Sequence, residues 1–171
     1  MTRVSLLAAM GIGVSAVLAG CSSGPQAGEA APAFSAMNSE GQNVELASYA
    51  GKVTVLDFWA TWCGPCRKSM PNVQALHERY EDNPNVAVVG VHFDTDYRAG
   101  NPADYFDEKG YTFDMIPDGS AISELYGISS LPSFVVIDES GTIIHRQRGF
   151  GASDVDAFAE IIDAQLAKNA G

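Results

Sequence analysis

The hydrophobic pattern divides the chain into one unbroken apolar run near its start and a succession of short β-type and longer helical segments behind it. Val4 to Leu18 is the apolar run. Phe34 to Met37 and Asn43 to Leu46 read as short strands about the turn Asn38-Ser39-Glu40-Gly41. Lys52 to Trp59 is rich in β-branched and aromatic residues, as a central buried strand requires. Cys63 to Tyr80 follows as a helix, with Met70, Val73, Leu76 and Tyr80 at helical spacing. Pro71 should kink it, because its ring removes a backbone donor and clashes one turn back. Val86 to Phe93 predicts the next buried strand, Pro102 to Lys109 a helix, Thr112 to Met115 an extended piece and Ser120 to Tyr126 a short helix. Phe134 to Ile137 and Thr142 to Gln147 predict an antiparallel pair about Asp138-Glu139-Ser140-Gly141, and Ser153 is placed to cap a last helix through Lys168.

These elements suffice for one α/β domain over residues 32–171. At 171 residues, 46% hydrophobic and 18% charged, the composition is that of a globular protein. The formal net charge is −11, from 10 basic and 21 acidic residues, with no basic patch. Nucleic acid and electrostatic adhesion to anionic lipid are therefore disfavoured, and the acidity reads as solubility.

The first residues look like an export address. Arg3 supplies a positive start, Val4 to Leu18 the apolar stretch, and Leu18-Ala19-Gly20-Cys21 the small-residue pattern that a signal peptidase cuts. A cysteine directly after the cut resembles a bacterial lipobox. The expectation is a lipoprotein signal peptide at 1–20, a lipidated Cys21 opening a flexible spacer through residue 31, and the domain behind it. An uncleaved anchor is the alternative, although the run is short for a bilayer span of about 20 residues. Both readings leave an extracytoplasmic, membrane-anchored domain on the periplasmic or outer cell-surface side. The chain has three cysteines, so lipidation of Cys21 would leave Cys63 and Cys66 as a working pair without a structural disulfide framework. One CxxC with no second pair does not make a zinc site, and no metal is expected. His77, His92 and His145 are scattered and read as structural or surface residues.

Chemistry concentrates where the buried strand meets the helix, at Cys63-Gly64-Pro65-Cys66. Cys63 at the helix N-cap would face unpaired backbone N–H groups and the positive end of the macrodipole. Its thiol should therefore ionise below a free cysteine, toward the value of about 7 typical of thioredoxin. Cys66, one turn further in, would be shielded and serve as the resolving thiol.

Trp62-Cys63-Gly64-Pro65-Cys66 resembles the active-site sequence of the thioredoxin superfamily. The longer stretch from Ala31, APAFSAMNSEGQNVELASYAGKVTVLDFWATWCGPCRKSMP, is similar to its membrane-anchored TlpA/ResA branch. The likeness extends over roughly residues 30–168. It implies a thioredoxin fold: a central mixed β-sheet flanked by helices, an N-terminal β-hairpin, and an αβ insertion between Asp94 and Gly127. It also implies a cis Pro132 facing the disulfide, with the backbone of Leu131 free to pair with an extended substrate segment. Trp62 would cover the disulfide and touch partners, with plain packing as its alternative role.

Asp57 falls where thioredoxins carry a buried aspartate and many TlpA/ResA-like proteins an asparagine. Burial would raise its pKa toward neutrality, so that it could take the proton of Cys66 through a water; a surface aspartate at a strand end is the alternative. The lysine that accompanies this aspartate in thioredoxins is absent, and Gly90 takes its place. Asp94 and Asp96 are weaker candidates for tuning Cys66 and read more simply as solvated loop carboxylates.

The implied function is an extracytoplasmic thiol–disulfide oxidoreductase without a cofactor. Gly64-Pro65 matches the reducing thioredoxins. Exported thiol proteins, apocytochrome c among them, would be substrates, and a membrane thiol–disulfide carrier would donate electrons. Thiol oxidation or disulfide isomerisation by the same residues is the alternative. A peroxiredoxin-type thiol peroxidase fits less well, because Thr61-Trp62-Cys63-Gly64-Pro65-Cys66 does not spell that family's arrangement of threonine and cysteine. A pure binding module is disfavoured by the presence of both thiols.

Overall fold

A computed structural model describes residues 24–169. Five strands form the main sheet in the order β5-β4-β3-β6-β7. The central strand β3 (Val53–Trp59) runs parallel to β4 (Val86–His92), which runs parallel to β5 (Asp114–Ile116). On its other side β3 pairs antiparallel with β6 (Ser133–Ile137), and β6 with β7 (Ile143–Arg148). β1 (Ser35–Met37) and β2 (Asn43–Glu45) form a separate hairpin. This is the expected mixed sheet, flanked by α1 (Gly64–Tyr80), α2 (Pro102–Lys109), α3 (Ser120–Leu125) and α4 (Ala152–Asn169). The αβ insertion is α2 with β5, which becomes one edge of the sheet.

Every residue of β3 is buried, which is why its hydrophobic pattern is a run and not an alternation. The two faces are nonetheless distinct. Val53, Val55 and Trp59 pack with Met70, Val73 and Leu76 of α1 and with Phe158 and Ile162 of α4. Leu56 and Phe58 join Val89, Val91, Ile122, Tyr126 and Phe34 on the opposite side. Side chains alternate along a strand, so Asp57 shares the α1 face with Val55 and Trp59. α1 and α4 are joined by Tyr80, whose hydroxyl donates to Ala159 O at 3.1 Å or to the Asp163 carboxylate at 2.8 Å.

Two local expectations change. β2 stops at Glu45 because Leu46–Tyr49 coils into a 3-10 turn, with Glu45 and Ser48 forming a reciprocal capping box. α4 begins at Ala152, so Ser153 lies inside the first turn and does not cap it; instead the Asp154 carboxylate accepts the Gly151 N–H at 2.7 Å. α1 keeps its expected extent, running through Pro71 to Tyr80.

The flexible-spacer reading also needs correcting over residues 24–31. Gly28 N–H donates to Ile143 O at 2.8 Å, Ile143 N–H to Glu29 O at 2.9 Å, and Ala31 N–H to Gly141 O at 2.8 Å. The Arg146 guanidinium donates to Pro25 O and, at 2.8 Å, to Tyr126 O. A Cβ on Gly24 would stand 2.3 Å from Tyr126 O, so only glycine fits there. The segment covers the otherwise open edge of β7. Its small polar composition concealed this because the contacts are made by backbone.

Candidate active site

β3 delivers the chain to a turn closed by the Cys63 N–H donating to Ala60 O at 3.0 Å. Cys63 then sits in extended conformation as the N-cap of α1, and its Sγ accepts the Cys66 N–H at 3.2 Å. Pro65 in the first turn has no N–H to leave unpaired. Cys63 and Cys66 form a disulfide with an S–S distance of 2.02 Å. Cys66 is fully enclosed, whereas Cys63 keeps 5% of its surface open and lines a pocket. The asymmetry is the one thiol exchange needs: an accessible sulfur at a helix N-terminus and a second sulfur held behind it.

The pocket has a volume of about 360 Å³ and is lined by Trp62, Cys63, Gly64, Pro65, Phe93, Ser129, Ser130 and Leu131. Trp62 is 46% exposed at its rim. The Leu131–Pro132 bond is cis, as the family resemblance implied. Pro132 O accepts Gly149 N–H at 2.9 Å, and the Ser133 hydroxyl donates to Ser130 O at 2.7 Å, so the loop facing Cys63 is held from both sides.

Asp57 is completely buried, and neither carboxylate oxygen has a hydrogen-bond partner among the described residues. Burial pushes its pKa up from 3.8 to about 8, so the acid form prevails at neutral pH. The surface-aspartate alternative is thereby excluded. Asp57 pairs in register with Gly90, where a Cβ would meet Phe113, Trp59 Nε1 and Phe106 at 3.1, 3.2 and 3.3 Å. Rings fill the space that an accompanying cation would need.

Comparison with known proteins agrees with this site. The AhpC/TSA family profile matches residues 27–146. The chain belongs to that family. Within it, the chain is similar to the thiol-disulfide oxidoreductase ResA of Halalkalibacterium halodurans, 32% identical over 144 residues that span 80% of this chain and 77% of the relative. The thioredoxin-like protein YneN of Bacillus subtilis is 36% identical over 121 residues, 70% of each chain. A solved structure named as a candidate thiol:disulfide interchange protein DsbE, from Chlorobium tepidum, superposes with a TM-score of 0.73. It has 31% identity and covers 82% of this chain and 98% of its own. With its CxxC disulfide and these ResA-like relatives, this AhpC/TSA family member is a thiol–disulfide oxidoreductase of the thioredoxin superfamily.

Other sequence-level candidates fall elsewhere. The Asp94 carboxylate accepts the Asp96 N–H at 2.9 Å in the turn after β4. Cys21 lies outside the described residues. Among the described residues no helix is long and apolar enough to cross a membrane, and no three His, Cys, Asp or Glu side chains are grouped to hold a metal ion. Phe93, Ser129 and Ser130 escaped sequence reasoning because they sit on loops without a motif. His92 escaped it as well, although it is wholly buried and meets the backbone of Thr61. Its place inside the apolar run Val86 to Phe93 was the available signal.

Proposed function

We propose that this oxidoreductase acts outside the cytoplasm, tethered through a lipidated Cys21, and reduces disulfides of exported proteins. The observation that carries the chemistry is the Cys63–Cys66 pair at a helix N-cap, opening on a pocket, with a buried Asp57, which has no hydrogen-bond partner among the described residues, on the strand leading to it. In the reduced protein the Cys63 thiolate attacks one sulfur of a substrate disulfide; an S–S bond forms to Cys63 and the substrate's other sulfur leaves as thiolate. The ionised fraction of Asp57, a minority at neutral pH that grows as pH rises toward 8, takes the Cys66 proton through a water, and the Cys66 thiolate attacks Cys63 Sγ. The enzyme disulfide closes, the second substrate thiolate departs, and two electrons have passed to the substrate. A membrane thiol–disulfide carrier would restore them.

Leu131 backbone and the Trp62 rim would bind an extended segment beside the substrate cysteine. Apocytochrome c, whose haem-attachment cysteines form such a CxxCH disulfide, is the proposed client. Gly64-Pro65, which matches the reducing thioredoxins, supports the reducing direction. The reduction potential of the full-length protein, equilibrated against glutathione or dithiothreitol and followed by Trp fluorescence, tests it. A value at or below roughly −250 mV supports a reductase; one near or above about −180 mV overturns it in favour of an oxidase or isomerase.

A further inference from the structure

His92 closes β4, pairs in register with Trp59 and exposes no surface. Its Nε2 lies 3.2 Å from Thr61 N and its Nδ1 lies 2.6 Å from Asp94 O. A backbone N–H can only donate, so Nε2 must offer a lone pair. The ring proton then sits on Nδ1, where the Asp94 carbonyl accepts it. The ring is further held edge-on to Trp59, with centroids 5.2 Å apart at 87°, and against Tyr97 at 5.5 Å. The carbonyl of His92 accepts Gly119 N–H at 2.8 Å, and a Cβ on Gly119 would come within 2.7 Å of that oxygen. One side chain thus joins the turn before Cys63 to the loop after β4, while its backbone anchors the loop before α3. Thr61 is 2% exposed, so losing this acceptor would leave its N–H buried and unpaired two residues from the attacking sulfur.

We propose that His92 is a positioning residue of the redox pair: as the neutral Nδ1–H tautomer it holds the Ala60–Cys63 turn in the geometry that lets Cys63 cap α1, and protonation at Nε2 releases that turn. The proposal rests on the thiol–disulfide chemistry of the site and is independent of direction, client and location.

The groups facing the ring decide when release occurs. Asp94, Asp96 and Tyr97 on the following loop and Asp118 before α3 supply the titratable groups, whereas Trp59 and Thr61 from β3 and its turn bring none. The carboxylates favour a proton, but burial opposes it more strongly, and the pKa lies below the ordinary 6.5. An unfolded chain takes up its proton first as pH falls. The stabilisation by neutral His92 is therefore complete above about pH 6.5 and declines below it.

The test uses the ¹⁵N-labelled full-length protein. Two-bond ¹H–¹⁵N correlation at pH 7.5 reads the tautomer, and Thr61 amide exchange, corrected for intrinsic rate, is followed to pH 4.5. The rate of reduced Cys63 with 5,5′-dithiobis(2-nitrobenzoate) is measured alongside. The expected results are an Nδ1–H ring and Thr61 protection that falls in acid. His92→Gln, which keeps an acceptor at the ε position and cannot titrate, should preserve protection and flatten its pH profile. His92→Leu should lose about tenfold in Thr61 protection and slow Cys63 severalfold at pH 7.5, as expected for one unpaired buried donor. An Nε2–H tautomer overturns the proposal, as does Thr61 protection indifferent to pH. If His92→Leu does not fold, the wild-type tautomer and titration decide alone. A potential near −180 mV would overturn the reductase reading and leave this result untouched.

Discussion

Asp57 and Gly90 stand side by side across the parallel ladder of β3 and β4, an ionisable group paired with a position that has no side chain. The rings of Trp59, Phe106 and Phe113 close over Gly90, so no cation reaches the carboxyl from that strand. Burial alone therefore sets the behaviour of Asp57.

Stability should consequently fall as pH rises. The folded chain keeps the Asp57 proton up to about pH 8, while an unfolded chain releases it near 3.8, so unfolding releases a proton throughout that window. The favourable state is complete below about pH 4 and is lost progressively toward pH 8. At 1.36 kcal/mol per pH unit, Asp57→Asn should be more stable than wild type at pH 7 by up to about 4 kcal/mol, relative to their difference at pH 4. Urea denaturation of the oxidised proteins at both pH values measures it; a pH-independent difference would show that Asp57 is ionised in the fold.

The same substitution should separate stability from catalysis. Measured above pH 8, where Asp57 is ionised, loss of the proposed proton acceptor should slow release of substrate from the Cys63 mixed disulfide by on the order of 100-fold, the lower end of general-base effects. Attack by Cys63 should change little. Stopped-flow measurement of both steps checks this, and equal slowing of the two would argue against a base acting on Cys66.

Gly90→Ala probes the packing side of the pair. Its Cβ would come within 3.1–3.3 Å of three ring atoms, and the rings already pack against one another, with Phe106 and Phe113 edge-on at a centroid distance of 4.8 Å. Overpacking should cost about 1–3 kcal/mol, read as a lower denaturation midpoint at unchanged slope. A neutral result would mean that the ring cluster yields easily.

Legibility in the sequence followed the source of each contact. The Trp62–Cys66 run revealed the redox pair because the chemistry resides in consecutive side chains at a strand–helix junction. The burial of Asp57 was expected from the family resemblance but not from the hydrophobic pattern: it depends on α1 folding over a strand whose unbroken apolar run hides which side is which. His92 was passed over because its role lies in ring nitrogens meeting the backbone of Thr61, 31 residues away. Residues 24–31 were read as a spacer for the same reason, since Gly28 and Ala31 bind β7 through their amides and small polar side chains carry no trace of it.

That docked segment makes the last prediction. Arg146 binds both Pro25 O and Tyr126 O, clamping residue 25 to the loop before β6. Arg146→Ala removes both donors, while the backbone pairing of Gly28, Ala31 and Ile143 remains. Amide exchange should then rise first near Gln26 and Gly28 and least at the inner strands, and limited proteolysis should clip the chain ahead of residue 28. The loss in global stability should stay near 1–2 kcal/mol, because a partly exposed charge-assisted pair contributes little beyond its own hydrogen bonds. Unchanged exchange at Gln26 and Gly28 would mean that the β7 ladder holds the segment without the clamp. A fall in Cys63 reactivity would instead show that the clamp supports the loop carrying Ser129 and Ser130 beside the disulfide.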